Sequence, residues 1–214
     1  MIRDWFDPLP MVAILRGLRP DEALPVGRAV AAAGFRILEV PLNSPQPLDS
    51  IRQLTEALGE RCLVGAGTVM TPAQVDQVAA AGGRVIVMPH ADVAVITAAK
   101  RAGLYCTPGV ATPTEAFAAL AAGADALKLF PAEQLGPAVV KAWRAVLPPE
   151  LPVLPVGGIA PDTMAPYVAA GADGFGLGSA LYAPGRDAAE VGRRAQAFAQ
   201  AWAALSSAHH VASA

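Results

Sequence analysis

The apolar and polar positions of this chain alternate in blocks rather than residue by residue. Five segments, AAAGFRILEV, AAAGGRVIVM, KRAGLYCTPG, LAAGADALKLF and VAAGADGFGLG, share one form: an Ala-rich end, a glycine, then a short apolar run. Gly34, Gly82, Gly103, Gly123 and Gly171 fall where a helix has just ended and positive φ costs a glycine little. The apolar runs behind them are too short for helices and read as parallel strands buried on both faces. Helix starts follow at Pro20-Asp21-Glu22, Thr71-Pro72, Thr112-Pro113-Thr114-Glu115 and Pro161-Asp162, which supply caps, first-turn prolines and early acids.

Counting these units predicts eight strands, near residues 11–16, 36–40, 62–66, 84–88, 104–107, 126–130, 152–156 and 174–177. The expected fold is α/β, a single (β/α)8 TIM barrel over residues 1–205. The segment SSAHHVASA, residues 206–214, is small and patternless and reads as a flexible C-terminal tail. A doubly wound open sheet is the alternative. Its glycine fingerprint is missing, since GAGTVM lacks the third glycine of G-x-G-x-x-G and no acid follows at the expected distance.

Composition narrows the function classes. A net charge of −2 without a basic cluster argues against nucleic acid as a partner. No apolar run is long enough to span a bilayer, and MIRDWFDPLP lacks the regions of a signal peptide, so a cytoplasmic protein is expected. Cys62 and Cys106 lie in apolar segments without CxxC spacing and read as buried thiols.

The candidate chemistry sits at strand ends. Active sites of such barrels occupy the C-terminal ends of the strands. There the chain places Arg16 (VAILRG), Glu39 (RILEV), Thr68 (VGAGT), Pro89 and His90 (VMPH), and Lys128 (LKLF). Lys128 is one of three lysines in a chain whose other cationic side chains are all arginine. The two-residue side-chain period puts Ile37 and Glu39 on one face of their strand, and Ala126, Lys128 and Phe130 on one face of theirs. The two strands are the second and sixth of eight, so acid and amine are expected in one interior layer.

A lysine in a dry cavity is suited to attack a carbonyl and form a Schiff base. Holding it neutral at pH 7 costs about 4.6 kcal/mol from its free pKa, a cost that burial reduces. Glu39 is the natural proton shuttle, because carbinolamine dehydration and carbon–carbon cleavage need an acid and a base in turn. This defines a class I aldolase. A metal-dependent aldolase would need clustered His and carboxylate ligands, whereas two of the three histidines lie in the tail, so no metal is expected. The Gly-rich turns with Gly157-Gly158 and Gly178-Ser179 follow the last two strands, where barrels often bind phosphate through backbone N–H groups.

In order, ILRG, LEVPLNSP, VGAGTV, LKLFPAE, PVGGI and GLGSALY resemble the 2-keto-3-deoxy-6-phosphogluconate and 6-phosphogalactonate aldolases, from about residue 10 to 183. The resemblance implies that Lys128 forms the Schiff base and Glu39 is the acid/base. It further implies that Thr68 and Pro89 line the pyruvate end, and that Gly157, Gly158, Gly178 and Ser179 hold the phosphate. A homotrimer without metal or organic cofactor is implied as well. The phosphogluconate branch often carries an Arg shortly after the catalytic Glu, where PLNSP has Asn43; Arg16 is the expected replacement as a partner for the substrate carboxylate. ILRG with PLNSP is more similar to the phosphogalactonate aldolases. The expected reaction is cleavage of 2-dehydro-3-deoxy-6-phospho-D-galactonate to pyruvate and D-glyceraldehyde 3-phosphate. The alternatives are the C4-epimeric gluconate, 4-hydroxy-2-oxoglutarate, or a sugar-phosphate-binding barrel without catalysis.

Overall fold

The computed structural model describes the backbone of residues 1–212 and the side chains of residues 1–207. Strand and helix alternate along the chain as β1 (Met11–Ile14), α1 (Pro20–Ala32), β2 (Ile37–Pro41), α2 (Pro47–Leu58), β3 (Leu63–Gly67), α3 (Pro72–Ala80), β4 (Val85–Val87) and α4 (Val93–Arg101). The second half continues with β5 (Tyr105–Thr107), β6 (Gly109–Val110), α5 (Pro113–Ala121), β7 (Leu127–Leu129), α6 (Ala132–Arg144), β8 (Val153–Pro155), α7 (Met164–Ala169), β9 (Phe175–Leu177) and α8 (Ala188–Ala212). Strands pair in parallel in two sheets, ordered β5-β4-β3-β2-β1-β9 and β6-β7-β8.

The fold is α/β, with parallel strands curled about a common interior. There are nine described strands where the pattern predicts eight, because the stretch from Tyr105 to Val110 is divided at Pro108. Proline has no N–H to give to a ladder. The two halves remain close to β7: Asp125 N–H donates to the Cys106 carbonyl and Lys128 N–H to the Pro108 carbonyl, both at 2.9 Å. Just beyond β8, Val156 forms an isolated parallel bridge with Gly176 of β9.

Most local signals act as the pattern predicts, although Pro161–Thr163 forms a 3-10 turn ahead of α7. Thr71 and Thr112 cap α3 and α5, each with a proline in the first turn. The five glycines behind the helices all take positive φ, between 72° and 101°. The repeated Gly-Ala-Asp of two of these segments has a structural use. Asp125 Oδ2 accepts from Cys106 N–H at 2.8 Å and from Lys100 Nζ. Asp173 Oδ2 accepts from Val153 N–H at 2.8 Å and from Arg144. Each aspartate thus ties the start of its own strand to an earlier strand and to a cation of an earlier helix.

Side chains of successive strand residues serve two different cores. Leu38, Val40, Val64, Ile86, Leu127 and Leu129 pack outward among the helices. Val12, Ile37, Leu63, Val85, Ala126 and Leu154 point inward and cluster with Ile2 and Phe6 from the N-terminal segment. Strands from both sheets therefore share one interior, closed at its lower end by apolar residues. Helix α8 carries the fold past residue 205, where the pattern places the end of the domain: Ser206 and Ser207 hydroxyls donate to the carbonyls of Trp202 and Ala203. The remainder of the expected tail, residues 213 and 214, lies outside the described residues.

Candidate active site

Alternation along β2 and β7 decides where the two candidate reactive groups go. In β2, Leu38 and Val40 face the helices, which leaves Ile37 and Glu39 on the inner face. In β7, Leu127 and Leu129 face the helices, so Lys128 follows Ala126 inward. Both are buried, Glu39 at 1% and Lys128 at 6% relative exposure. Outward escape of either side chain is blocked by the packed layer of helices.

The glycines of VGAGT make this arrangement possible. A Cβ on Gly67 would lie 1.8 Å from Glu39 Oε2, and one on Gly65 would lie 1.9 Å from the Val85 carbonyl oxygen. The carboxyl group occupies the space that a side chain on β3 would fill. Glu39 Oε2 is buried and has no hydrogen-bond partner among the described residues. A buried, unpartnered carboxylate oxygen is costly, and burial favours the neutral acid. Burial raises the Glu39 pKa to about 7, with Lys128 and then Arg16 pulling the other way. Lys128 is lowered from its ordinary value, first by burial and also by Arg16, against the opposing pull of Glu39. Lys128 shares a small interior pocket with Val12, Ile14, Val87, Leu154 and Val156, and with the buried Thr107, so its surroundings are largely apolar. Its Nζ stands 4.5 Å from the centroid of the Phe130 ring.

Above this layer opens a cleft of about 660 Å³. Of the residues expected at the site, Arg16, Pro89, Lys128, Gly157, Gly158, Gly178 and Ser179 line it. Thr68 joins them indirectly. Arg16 Nη1 donates to Asn43 Oδ1 at 2.6 Å, and Nη2 to Thr68 Oγ1 at 3.3 Å. Thr68 holds φ at +57°, a conformation that a β-branched residue adopts at a cost of order 1–3 kcal/mol, and one found most often at functional sites. Glu39 does not line the cleft and lies in the layer below. His90, beside Pro89, has a buried Nδ1 without a partner among the described residues.

The backbone N–H groups of Gly158 and Ser179 have no protein acceptor among the described residues, whereas that of Gly157 belongs to the bridge with Gly176. Gly157 and Gly158 both have positive φ, at 109° and 68°. Free N–H groups on a tight turn suit an anion. Among the described residues no three His, Cys, Asp or Glu side chains come together as metal ligands would, and no helix is long and apolar enough to cross a membrane.

Among the lining residues that the sequence reading did not assign to the site are Phe130 and Arg186. Phe130 follows Lys128 on the same face, and its signal was present in the alternation. Arg186, in LYAPGRDA, lies beyond the last strand, and nothing in its local sequence distinguishes it from a surface arginine.

A family model described as Aldolase: KDPG and KHG aldolase matches residues 2–194. A probable 2-dehydro-3-deoxy-6-phosphogalactonate aldolase of Rhizobium meliloti (strain 1021) is 50% identical over 196 residues, 92% of each chain. The 2-dehydro-3-deoxy-6-phosphogalactonate aldolase of Escherichia coli (strain K12) is 48% identical over 198 residues, 92% of this chain and 97% of that one. The KHG/KDPG aldolase of the same E. coli strain is 33% identical over 162 residues, 75% of each chain. A solved structure described as native KDPGal superposes with a TM-score of 0.93 at 46% identity, covering 95% of this chain and 98% of that one.

Proposed function

The chain belongs to the KDPG and KHG aldolase family, carbon–carbon lyases, and on that premise we propose that it cleaves 2-dehydro-3-deoxy-6-phospho-D-galactonate to pyruvate and D-glyceraldehyde 3-phosphate. The observation that carries the mechanism is the pair of buried groups, Lys128 with its pKa lowered and Glu39 with its pKa raised to about 7, on the inner faces of β7 and β2.

Neutral Lys128 Nζ attacks the C2 ketone and forms a carbinolamine. Glu39 in its acid form gives a proton to the departing hydroxyl, water leaves, and an iminium remains. The Glu39 carboxylate so produced takes the proton of the C4 hydroxyl. The C3–C4 bond breaks, its electron pair flows into the iminium, and the aldehyde departs, leaving an enamine on Lys128. Protonation at C3 and hydrolysis release pyruvate and restore the amine. A carboxyl group poised near neutrality serves both directions of proton transfer, which an ordinary glutamate at pH 7 does poorly.

Arg16, held by Asn43 and Thr68, is suited to pair with the substrate carboxylate, and Pro89, which lines the same cleft, to contact the pyruvate end. The free N–H groups of Gly158 and Ser179, with Gly157 and Gly178 beside them, are suited to the phosphate. The choice of the galactonate over the gluconate epimer rests on the higher identity to the phosphogalactonate relatives and on the ILRG and PLNSP segments. We also read the two sheets as one eight-stranded ring. The reading is supported by the contacts of β7 with both sides of Pro108 and by the Val156–Gly176 bridge. Family resemblance supports a cytoplasmic homotrimer, which light scattering checks.

Borohydride reduction in the presence of pyruvate tests the mechanism: the expected adduct lies on the peptide carrying Lys128, and its absence there overturns the Schiff base. Comparing kcat/KM on the two C4 epimers and on 4-hydroxy-2-oxoglutarate tests the substrate. A preference for either of the latter two overturns the galactonate assignment.

A further inference from the structure

We propose that Arg186 is the cation that lets this cleft discriminate in favour of a phosphorylated substrate, an inference that rests on the reading above. Among the described residues three cationic side chains line the cleft, Arg16, Lys128 and Arg186, and no acidic one does. Two of the three are already engaged. Arg16 is tied to Asn43 and Thr68 on the side of β2 and β3. Lys128 is the candidate nucleophile and has to be uncharged to act. Arg186 remains, lining the cleft with Gly157, Gly158 and Ser179 and hydrogen-bonded to the last of them. Among the described residues its guanidinium makes one protein hydrogen bond, donating through Nη1 to the backbone carbonyl of Ser179 at 2.5 Å, so most of its N–H groups are available to a ligand.

Charge balance gives a reason for a cation there. The glycine turn offers N–H dipoles but no net charge, and Glu133 stands close behind it. A Cβ on Gly158 would lie 2.7 Å from Glu133 Oε2, and one on Gly157 would lie 3.3 Å from it. A phosphate monoester carries close to two negative charges at neutral pH and would meet the field of that carboxylate. A guanidinium stays protonated throughout the working pH range and offsets it. The segment that carries Arg186 is also held in place. Tyr182 donates its hydroxyl to Glu22 Oε2 at 3.2 Å, and a Cβ on Gly17 would lie 2.6 Å from Pro184 Cγ. The loop after β9 therefore packs on the loop after β1.

The test compares two substrates on wild type, Arg186→Gln and Arg186→Lys: 2-dehydro-3-deoxy-6-phosphogalactonate and its dephosphorylated form. For Arg186→Gln, kcat/KM on the phosphorylated substrate is expected to fall about 10- to 100-fold, mostly through KM, against about threefold or less on the dephosphorylated one. Arg186→Lys is expected to recover part of the loss, and inorganic phosphate to compete less well against the Gln variant than against wild type. Equal losses on both substrates, or no loss on the phosphorylated one, overturn the role of Arg186. A wild type that does not prefer the phosphorylated substrate instead overturns the phosphate reading itself, so the two failures are distinguishable.

Discussion

The two ends of the strand interior are built by the same alternation and do opposite work. At the lower end Val12, Ile37, Leu63, Val85 and Ala126 meet Ile2 and Phe6 in an apolar plug. Two residues further along the same inner faces, Ile37 gives way to Glu39 and Ala126 to Lys128. Leu38, Val40, Leu127 and Leu129 pack outward among the helices at both levels, so the difference is confined to a few inward positions. One end contributes burial; the other accepts the cost of burying an acid and an amine, each shifted toward its neutral form. Substitutions at the upper level should therefore damage turnover more than folding, and substitutions at the lower level should do the reverse.

The largest separation is expected at Lys128. Lys128→Met keeps much of the volume and removes the amine. Turnover is expected to fall about ten-thousandfold or more, with thermal stability unchanged or raised because a desolvated amine is gone. Activity within tenfold of wild type would place the nucleophile elsewhere. Glu39→Gln comes next, with an expected loss of about 10²- to 10⁴-fold. It also has a signature in stability. The folded pKa of Glu39, about 7, stands above its ordinary 4.5, so the folded state binds the proton more tightly than the unfolded state does. Wild-type stability from this group is therefore greatest below pH 4.5 and is lost as pH rises toward 7, by on the order of 3 kcal/mol. Glu39→Gln cannot ionise and should gain stability over wild type at pH 8 but much less at pH 5. Thermal melts at the two pH values check this, and an equal difference at both contradicts a raised pKa.

Gly67→Ala sharpens the comparison, because it acts on the acid without touching it. The new Cβ would overlap Glu39 Oε2, and the carboxyl has to swing away. Displacing a catalytic group by about 1 Å costs on the order of 10²-fold in rate, whereas overpacking costs about 1–3 kcal/mol of stability. Kinetics and urea unfolding on the one variant separate the two effects. Rates near those of wild type would mean that the position of Glu39 is not limiting.

Much of this was legible in the sequence, for a physical reason. Lys128 and Glu39 were recognisable because an inward position on a short buried strand leaves a charged side chain no route to water. The ends of the helices were legible because threonine caps and post-helical glycines act locally. Pro108 was visible too, but the pattern ended the strand at 107 and so missed Gly109–Val110, where pairing resumes beyond the proline. Arg186 and the Arg16–Asn43–Thr68 hydrogen bonds were hidden. They depend on how loops from distant parts of the chain fold over the rim, and no period along the sequence encodes that. The left-handed backbone of Thr68 was hidden for a related reason, since a β-branched residue gives no local sign of adopting it.

The smallest effect on catalysis is expected at the plug. Phe6 is 8% exposed and Ile2 3%, and both pack on inward strand residues at the end away from the cleft. Truncating a buried phenylalanine leaves a cavity and typically costs about 3–5 kcal/mol, a large share of the stability of a domain. Because interior packing is dense, strain from such a cavity could in principle travel up the strands to Glu39. The parallel ladders argue against it. Glu39 is in register with Ile14 and with Gly65, so its backbone is fixed by β1 and β3 on both sides, independently of Phe6. Phe6→Ala should thus lower the urea midpoint markedly and leave kcat/KM at 25 °C within about twofold of wild type. A loss of rate in proportion to the loss of stability would show that the two ends are coupled, and the division of labour along the shared strands would fail.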